Sequence, residues 1–165
     1  MKKRFMLLIT TTTITGLMAT LFYLWSISVT PGIARLGDRE YLASFQAMNR
    51  AIVNPVFLLC FLGAAVLLPV CTFMNYSQPL SNRIWFLLGA SLFYIIGIIV
   101  ITFTGNMPLN NALDKFNIAA SSPEQMAAFR AQFENKWNNL NHIRSFAGTI
   151  ALVLAFLACI TKAKS

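Results

Sequence analysis

The chain has 165 residues, of which 57% are apolar and only 11% are charged. Soluble domains carry about 25% charged residues, so this composition excludes an ordinary soluble enzyme. The net charge of +8 calls for no nucleic-acid partner, because membrane topology accounts for it.

Charged residues are absent from four windows, which predict four transmembrane helices. These windows are 5–30, 55–74, 84–104 and 145–161. A helix needs about 17–25 apolar residues to cross a bilayer, and the windows lack the polar stripes of helices in a soluble bundle. The first window is longer than the apolar core of a signal peptide, so we expect it to remain as a span. The sequence therefore predicts one all-α membrane domain over residues 1–165, a four-helix transmembrane bundle.

The basic residues predict how this domain is oriented. With four spans, both termini and the turn after the second span lie on one side. That side carries six basic residues and no acid, namely Lys2, Lys3, Arg4, Arg83, Lys162 and Lys164. The positive-inside rule therefore predicts that both termini are cytoplasmic. We expect an integral, multi-pass protein of a bacterial inner membrane.

The first span contains a stripe of small residues, Thr12, Gly16 and Thr20, spaced by four. Such a stripe predicts close packing against another helix. Threonine hydroxyls can bond to carbonyls of their own helix, which favours packing over a polar pathway. The Thr30-Pro31-Gly32 sequence is predicted to end this span.

The segment 31–54 is predicted to be an amphipathic helix outside the membrane. Its apolar face consists of Tyr41, Phe45, Met48 and Ile52. A residue before proline resists helical geometry, so Asn54-Pro55 predicts a kink or break before the second span.

The segment 105–144 is the second predicted extracytoplasmic segment. The Gly and Pro residues within 104–108 are expected to end the third span. The capping sequence from Ser122 to Gln125 predicts a helix start, and one helix is then expected from Pro123 to Thr161. Helices 2 and 4 would thus extend beyond the membrane and form an extracytoplasmic cap.

Polar residues of the last helix predict a ligand site below this cap. Arg130, Glu134, Asn138, Asn141 and Ser145 share one helix face, and asparagines from spans 2 and 3 arrive at the same level. Converging polar groups at a membrane-level cavity are typical of a binding site. A structural interpretation stays open: Arg130 and Glu134 form a surface pair, and Arg144 reaches lipid phosphate or pairs with Asp114.

Several chemistries have little support in the sequence. The three cysteines lie within apolar windows, without a Cys-x-x-Cys pair. One histidine cannot supply the two Glu-x-x-His motifs of a di-iron bundle. No phosphate-binding loop or serine nucleophile elbow is present. A copper site of His142 with Met107 or Met126 stays open, but we expect neither a metal nor a cofactor.

Three motifs carry a family resemblance. They are Asn49-Arg50-Ala51-Ile52-Val53-Asn54-Pro55-Val56-Phe57, Gly105-Asn106-Met107-Pro108-Leu109-Asn110 and Trp137-x-x-x-Asn141-His142-Ile143-Arg144, in this order. From about Gly16 to Ala158 the chain resembles the anthrone oxygenase-like family of small four-span membrane proteins. This resemblance implies oxidation of an anthrone to an anthraquinone by molecular oxygen, without a metal or flavin.

Under that reading, residue chemistry suggests roles for individual side chains. The catalytic candidates are His142 as the base, Arg144 as a stabiliser of the enolate, and Glu134. The substrate-binding candidates are Asn54, Asn106, Asn110, Trp137, Asn138 and Asn141. Tyr41 and Phe45 would help Trp137 to hold flat rings.

Two other functions stay open. One is a non-enzymatic membrane protein that binds a lipid or quinone or supports a membrane assembly, and the other is a small transporter subunit. The expected partners are the lipid bilayer and an apolar or aromatic small molecule, and a homo-oligomer is left open. A cavity enclosing His142 and Arg144 would favour the oxygenase, whereas an arginine facing lipid headgroups would favour the non-enzymatic alternative.

Overall fold

The computed structural model describes residues 2–76 and 81–161, and its regular structure there is entirely helical. Helix α1 (Lys2–Leu24) continues through a π-helical turn (Trp25–Val29) into α2 (Thr30–Ile33). Helices α3 (Asp38–Ile52) and α4 (Pro55–Met74) follow. Helix α5 (Asn82–Tyr94) continues through π-helical turns (Ile95–Val100 and Thr102–Asn106) into α6 (Met107–Lys115), and α7 (Pro123–Ile160) completes the fold.

Four continuous helices are long and apolar enough to cross a membrane. They are Lys2–Ile33, Pro55–Met74, Asn82–Lys115 and Pro123–Ile160. The prediction of an all-α bundle with four apolar spans is therefore confirmed.

The break before the second span is also confirmed. Helix α3 ends at Ile52 and α4 begins at Pro55. Asn54 between them is extended, with φ −127° and ψ 162°, and its Oδ1 accepts a hydrogen bond of 3.0 Å from the backbone N–H of Phe57. Asn54 thus caps the start of α4, while Pro55 occupies a first-turn position that needs no donor.

The helix stop predicted at 104–108 is wrong, because the third helix continues past Pro108 to Lys115, whereas the first helix ends at Ile33, directly after Thr30-Pro31-Gly32. A π-helical turn comes just before each of these prolines, Trp25–Val29 before Pro31 and Thr102–Asn106 before Pro108. Proline normally disrupts a helix because its ring clashes with the carbonyl four residues earlier and it lacks an N–H donor. A π turn bonds across five residues, so the backbone at these positions differs from the α-helical geometry that proline disrupts.

The last helix follows the prediction closely. Ser122 Oγ accepts from the N–H of Gln125 at 3.3 Å, and Gln125 Oε1 accepts from the N–H of Ser122 at 2.8 Å. This capping box starts α7, which runs uninterrupted for 38 residues. The helix is therefore long enough to contribute both to the bundle and to the structure above it.

The bundle core is built on small residues of α7. These residues are buried against α1 and α5, and they are Ala147, Gly148, Ala151, Ala155 and Ala158. A side chain at Gly97 would overlap Ala147, so the helices approach each other closely here.

Buried hydroxyl groups inside the bundle donate hydrogen bonds to backbone oxygens. Thr15 donates to Thr11 O at 2.8 Å, and Thr11 donates to Leu7 O at 2.8 Å. Tyr94 Oη donates to Phe61 O at 3.0 Å across two helices. These bonds support the packing role expected for the polar residues of the first span.

A second apolar cluster lies above the bundle, and we call it the cap. It joins α3, α6 and the first half of α7 through buried side chains, which are Tyr41, Leu42, Phe45, Leu113, Met126, Phe133 and Trp137. Tyr41 and Phe45, two of the four residues of the apolar face predicted for segment 31–54, therefore pack against α7.

Arg130 of α7 forms hydrogen bonds to the connection between α2 and α3. Its Nη1 donates to Leu36 O at 2.9 Å and to Asp38 Oδ1 at 3.0 Å, while Nη2 donates to Ala34 O at 2.8 Å. Its Nε donates to Glu134 Oε2 at 2.7 Å. One half-buried guanidinium thus holds four oxygen atoms from two parts of the chain.

Candidate functional site

A cavity of about 220 Å³ lies between the cap and the bundle. Six aromatic rings line it: Phe22, Trp25, Phe57, Phe61, Phe103 and Trp137. The polar side chains in its wall are Asn49, Thr102, Asn110, Asn141 and Arg144. A concave, mainly apolar space with a few converging polar groups is the usual form of a small-molecule site.

Irregular stretches of the helices border this cavity. Trp25 belongs to the first π turn, and Thr102 and Phe103 belong to the third. On the other side, the break at Val53 separates α3 from α4. Each irregularity changes the direction of side chains relative to a regular α-helix, and π turns occur often at functional sites.

Arg144 is the cation of the cavity. Its side chain is buried, with the residue 6% exposed. Nη2 donates to Asn141 Oδ1 at 2.8 Å and Nη1 donates to Thr102 Oγ1 at 3.3 Å. The guanidinium carbon lies 4.6 Å from the ring centre of Phe22 and 5.3 Å from that of Trp137. Two polar contacts and two rings therefore hold the charge.

Arg144 forms no ion pair with any carboxylate among the described residues. Asp114 pairs with Arg50 at 2.7 Å, so the structural pairing of Asp114 with Arg144 is wrong. Within the same parts of the chain, Arg144 Nε is buried and has no hydrogen-bond partner. The arginine faces the bundle interior and the cavity instead of projecting to a lipid-facing surface.

Asn141 positions Arg144. Its Nδ2 donates to Phe22 O at 3.1 Å and to Ser26 Oγ at 2.8 Å, which leaves Oδ1 to accept from the guanidinium. Ser145 Oγ lies 2.7 Å from the same Phe22 oxygen. This buried network joins α7 to α1 beside the cavity, and such networks hold their members in one arrangement.

Trp137 forms the wall between the cavity and the cap. Its Nε1 donates to Asn110 Oδ1 at 2.7 Å. Its ring centre lies 5.3 Å from that of Trp25 and 4.8 Å from that of Phe45. Asn106 Nδ2 donates to the backbone oxygen of Trp137 at 3.3 Å. The indole is therefore held by contacts on several sides.

Asn49 is a cavity residue to which the sequence reasoning assigned no role. Its Nδ2 is buried and has no hydrogen-bond partner in the described part of the chain. Ile52 and Val53 line the cavity with it. The spacing i, i+3, i+4 is the available sequence signal, because such residues share a helix face.

Four of the nine predicted site residues line the cavity, and five do not. Those that line it are Asn110, Trp137, Asn141 and Arg144. Those that do not are Asn54, Asn106, Glu134, Asn138 and His142.

The five residues off the cavity have different surroundings. His142 is exposed, Glu134 bonds to Arg130 within the cap, and Asn54 caps α4. Asn106 and Asn138 each have a buried side-chain oxygen without a partner among residues 2–76 and 81–161. The structure therefore brings four of the predicted polar and aromatic residues together at the cavity and disperses the other five.

The rings of Tyr41 and Phe45 lie in the cap. Phe45 contacts Trp137 on the side of the cap cluster. Arg130 lies 4.2 Å above the ring centre of Tyr41. Burial raises the pKa of the Tyr41 hydroxyl, and the charge of Glu134 raises it further. Neither ring lines the cavity.

Clustered metal ligands are absent from the described stretches. No three or more His, Cys, Asp or Glu side chains lie together there in an arrangement that would hold a metal ion. The polar groups of the cavity are instead amides, a hydroxyl and a guanidinium, which bind oxygen atoms by hydrogen bonds.

Four apolar helices and a cavity below a helical cap define a multi-pass membrane protein of the four-span bundle class. The chain matches the Anthrone oxygenase family over residues 42–154, about two thirds of its length, and it belongs to that family. The matched region contains all five polar residues of the cavity wall. Comparisons with curated proteins and with solved structures gave no match.

Proposed function

We propose that the cavity binds a flat aromatic molecule with an acidic oxygen and promotes its oxidation by molecular oxygen. The observation that carries this proposal is Arg144, a buried cation without a carboxylate partner in the described chain, beside an aromatic cavity. Membership of the Anthrone oxygenase family supports an anthrone as the substrate class.

The charge of Arg144 favours an anionic ligand. Moving an unpaired ion from water into the protein interior costs several kcal/mol of free energy. The bonds to Asn141 and Thr102 and the nearby rings offset part of that cost. An oxygen anion at the free Nε would supply the missing partner. The site would therefore stabilise an enolate or phenolate more than a neutral ketone.

The remaining cavity wall suits fused rings. The six aromatic side chains provide faces and edges for ring contacts. Asn49 adds a second free donor, which would meet another oxygen of the ligand. A bound molecule would thus be recognised by its shape and by two polar contacts.

An anthrone has the chemistry that this site would use. Loss of a proton from its methylene carbon gives an enolate, whose negative oxygen Arg144 would stabilise. The electron-rich carbon then passes electrons to oxygen, and a carbon–oxygen bond forms. The second hydrogen of that carbon and one oxygen atom leave in water. Anthrone and O₂ thus give anthraquinone and H₂O, with all four electrons supplied by the substrate.

The proton acceptor in this proposal is water at the mouth of the cavity, because the described residues of the wall include no carboxylate or imidazole. His142 lies on the exposed side of α7 and does not line the cavity. Its role as the general base therefore stays a prediction, which a direct comparison of variants decides.

The experiment measures oxygen consumption and quinone formation by the purified protein in vesicles supplied with 1,8-dihydroxyanthrone. We expect Arg144→Gln to lower kcat about 10²–10³-fold, as loss of an oxyanion contact does. His142→Ala should stay close to the parent, with or without a chelator. Parent-like turnover by Arg144→Gln would contradict the proposal. Loss of turnover in His142→Ala would support His142 as the general base.

A non-enzymatic function uses the same cavity. A quinone also presents oxygen acceptors on flat rings, and Arg144 and Asn49 would bind it without turnover. Tight binding of anthraquinone, together with anthrone oxidation no faster than the spontaneous rate, would support this alternative over the oxygenase.

A further inference from the structure

Five apolar residues line the cavity and are also exposed on the outside of the molecule. Their exposed fractions run from 39% to 65%, and they are Val53, Leu58, Leu62, Phe103 and Met107. The other end of the cavity wall is closed, because Phe22, Phe61, Asn141 and Arg144 are buried. The cavity is therefore open on the side where these five side chains lie.

The chain geometry explains where this opening lies. Val53 belongs to the break between α3 and α4, and Leu58 and Leu62 are one turn apart near the start of α4. Phe103 and Met107 are four residues apart where the third π turn joins α6. The opening is thus a gap between the start of α4 and the long helix that contains α5 and α6.

The surface around the opening is apolar. Val56 and Leu59, on the same turns of α4, are 72% and 73% exposed. No charged residue occurs in 55–74 or 84–104. A monomer in water rarely exposes such a continuous apolar surface, whereas a transmembrane helix presents it to acyl chains. The opening therefore faces lipid.

We propose that the ligand reaches the cavity sideways from the bilayer through this opening, the portal formed by Val53, Leu58, Leu62, Phe103 and Met107. This inference rests on the proposed function, since it takes the same cavity as the ligand site. The substrate class is then an amphipathic aromatic molecule dissolved in the membrane.

The depth of the portal fits that class. It lies on the first two turns of α4, at one end of an apolar span, with Arg144 at the inner end of the path. A fused-ring phenol places its rings at the acyl boundary and its oxygen towards the headgroups. Such a molecule would meet the portal at the level where it already resides.

The test compares two adjacent leucines of α4. Leu58→Trp narrows the portal, and Leu59→Trp adds the same bulk to an exposed position that does not line the cavity. Protein in phosphatidylcholine vesicles is mixed with vesicles that carry 1,8-dihydroxyanthraquinone, and the absorbance of this probe reports binding. We expect Leu58→Trp to slow association and dissociation about tenfold each, with Kd unchanged, as a narrowed gate does. Leu59→Trp should change neither rate.

A second variant guards against misfolding of the first. Leu62→Ala widens the portal, and we expect it to speed both rates without a change in Kd. Leu59→Ala is its control, because Leu59 is exposed and does not line the cavity. Rates that match the parent in both portal variants, or a changed Kd with an unchanged association rate, would overturn the portal.

Arg144→Gln separates failure of the portal from failure of the proposed function. We expect it to weaken binding through faster dissociation and to leave association unchanged. If the portal variants associate and dissociate at the parent's rates while Arg144→Gln binds the probe more weakly, the portal alone is overturned. If the portal variants have altered rates while Arg144→Gln binds as tightly as the parent, the proposed anion contact alone is overturned. If the parent protein does not bind the probe, both proposals are overturned.

Discussion

At the scale of single residues, Arg144 is the main finding. An ionisable side chain within a transmembrane segment is costly and usually functional. The sequence was compatible with three partners for Arg144, namely lipid phosphate, Asp114 and a ligand. The structure excludes the first two, because Arg144 faces the cavity and Asp114 is bonded to Arg50.

Asn141→Leu tests how the arginine is held. This change removes the 2.8 Å acceptor of the guanidinium and the donors to Phe22 O and Ser26. A buried group left without its partner costs about 1–3 kcal/mol, so we expect the free energy of unfolding in bicelles to fall by that amount. Asn139→Leu is the matched control, because Asn139 is exposed on the same helix. Equal stability of the two variants would show that the network contributes nothing.

At the scale of helices, Pro108 shows where the structure differs from the local prediction. Pro31 and Pro108 both resemble helix ends in the sequence, and the first helix does end at Ile33, whereas the third continues past Pro108 to Lys115. Local propensity predicts a stop, because it assumes α-helical hydrogen bonding. The π turns depend on packing against neighbouring helices, which no local pattern encodes. They also place Trp25 and Thr102 on the cavity.

Arg130→Leu tests the connection between the cap and α7. The change removes four hydrogen bonds and leaves Glu134 and Asp38 unpaired. We expect faster backbone hydrogen exchange across residues 34–45, with the spans still protected, since hydrogen bonds to charged groups contribute about 1.5–3 kcal/mol each.

Two comparisons sharpen this test of the cap. Arg35→Leu should exchange like the parent, because Arg35 is exposed in the same connection. Glu134→Gln should have a smaller effect than Arg130→Leu, because its amide oxygen still accepts from Arg130. Unchanged exchange in Arg130→Leu would mean that apolar packing alone holds the cap.

At the scale of the whole molecule, the orientation of the four spans decides on which side of the membrane the cap and the cavity lie. Both termini are predicted to be cytoplasmic, with the cap on the other side of the membrane. We expect a membrane-impermeant thiol reagent added to intact cells to label Ala128→Cys in the cap but not Lys3→Cys. Both variants are made after Cys60, Cys71 and Cys159 are replaced by alanine. Labelling of Lys3→Cys alone would reverse the orientation.

The sequence by itself determined the number of spans, the break at Asn54 and the long final helix with its capping box. These features depend on hydropathy, on proline geometry and on short-range hydrogen bonds, all of which act within a few residues. They were therefore readable without knowledge of any contact between distant parts of the chain.

Only the tertiary structure decided which polar residues meet. Asn141 and Arg144, three residues apart, share the buried face of α7, whereas His142 is rotated about 200° from Arg144 and lies on the exposed face. Helix periodicity could have separated them, but it could not have shown that Asn49 joins the cavity. The position of Asn49 beside the other cavity residues depends on the break at Val53, on the π turns and on close packing of α1, α5 and α7. The site is a product of how helices pack, and packing is set by the whole molecule.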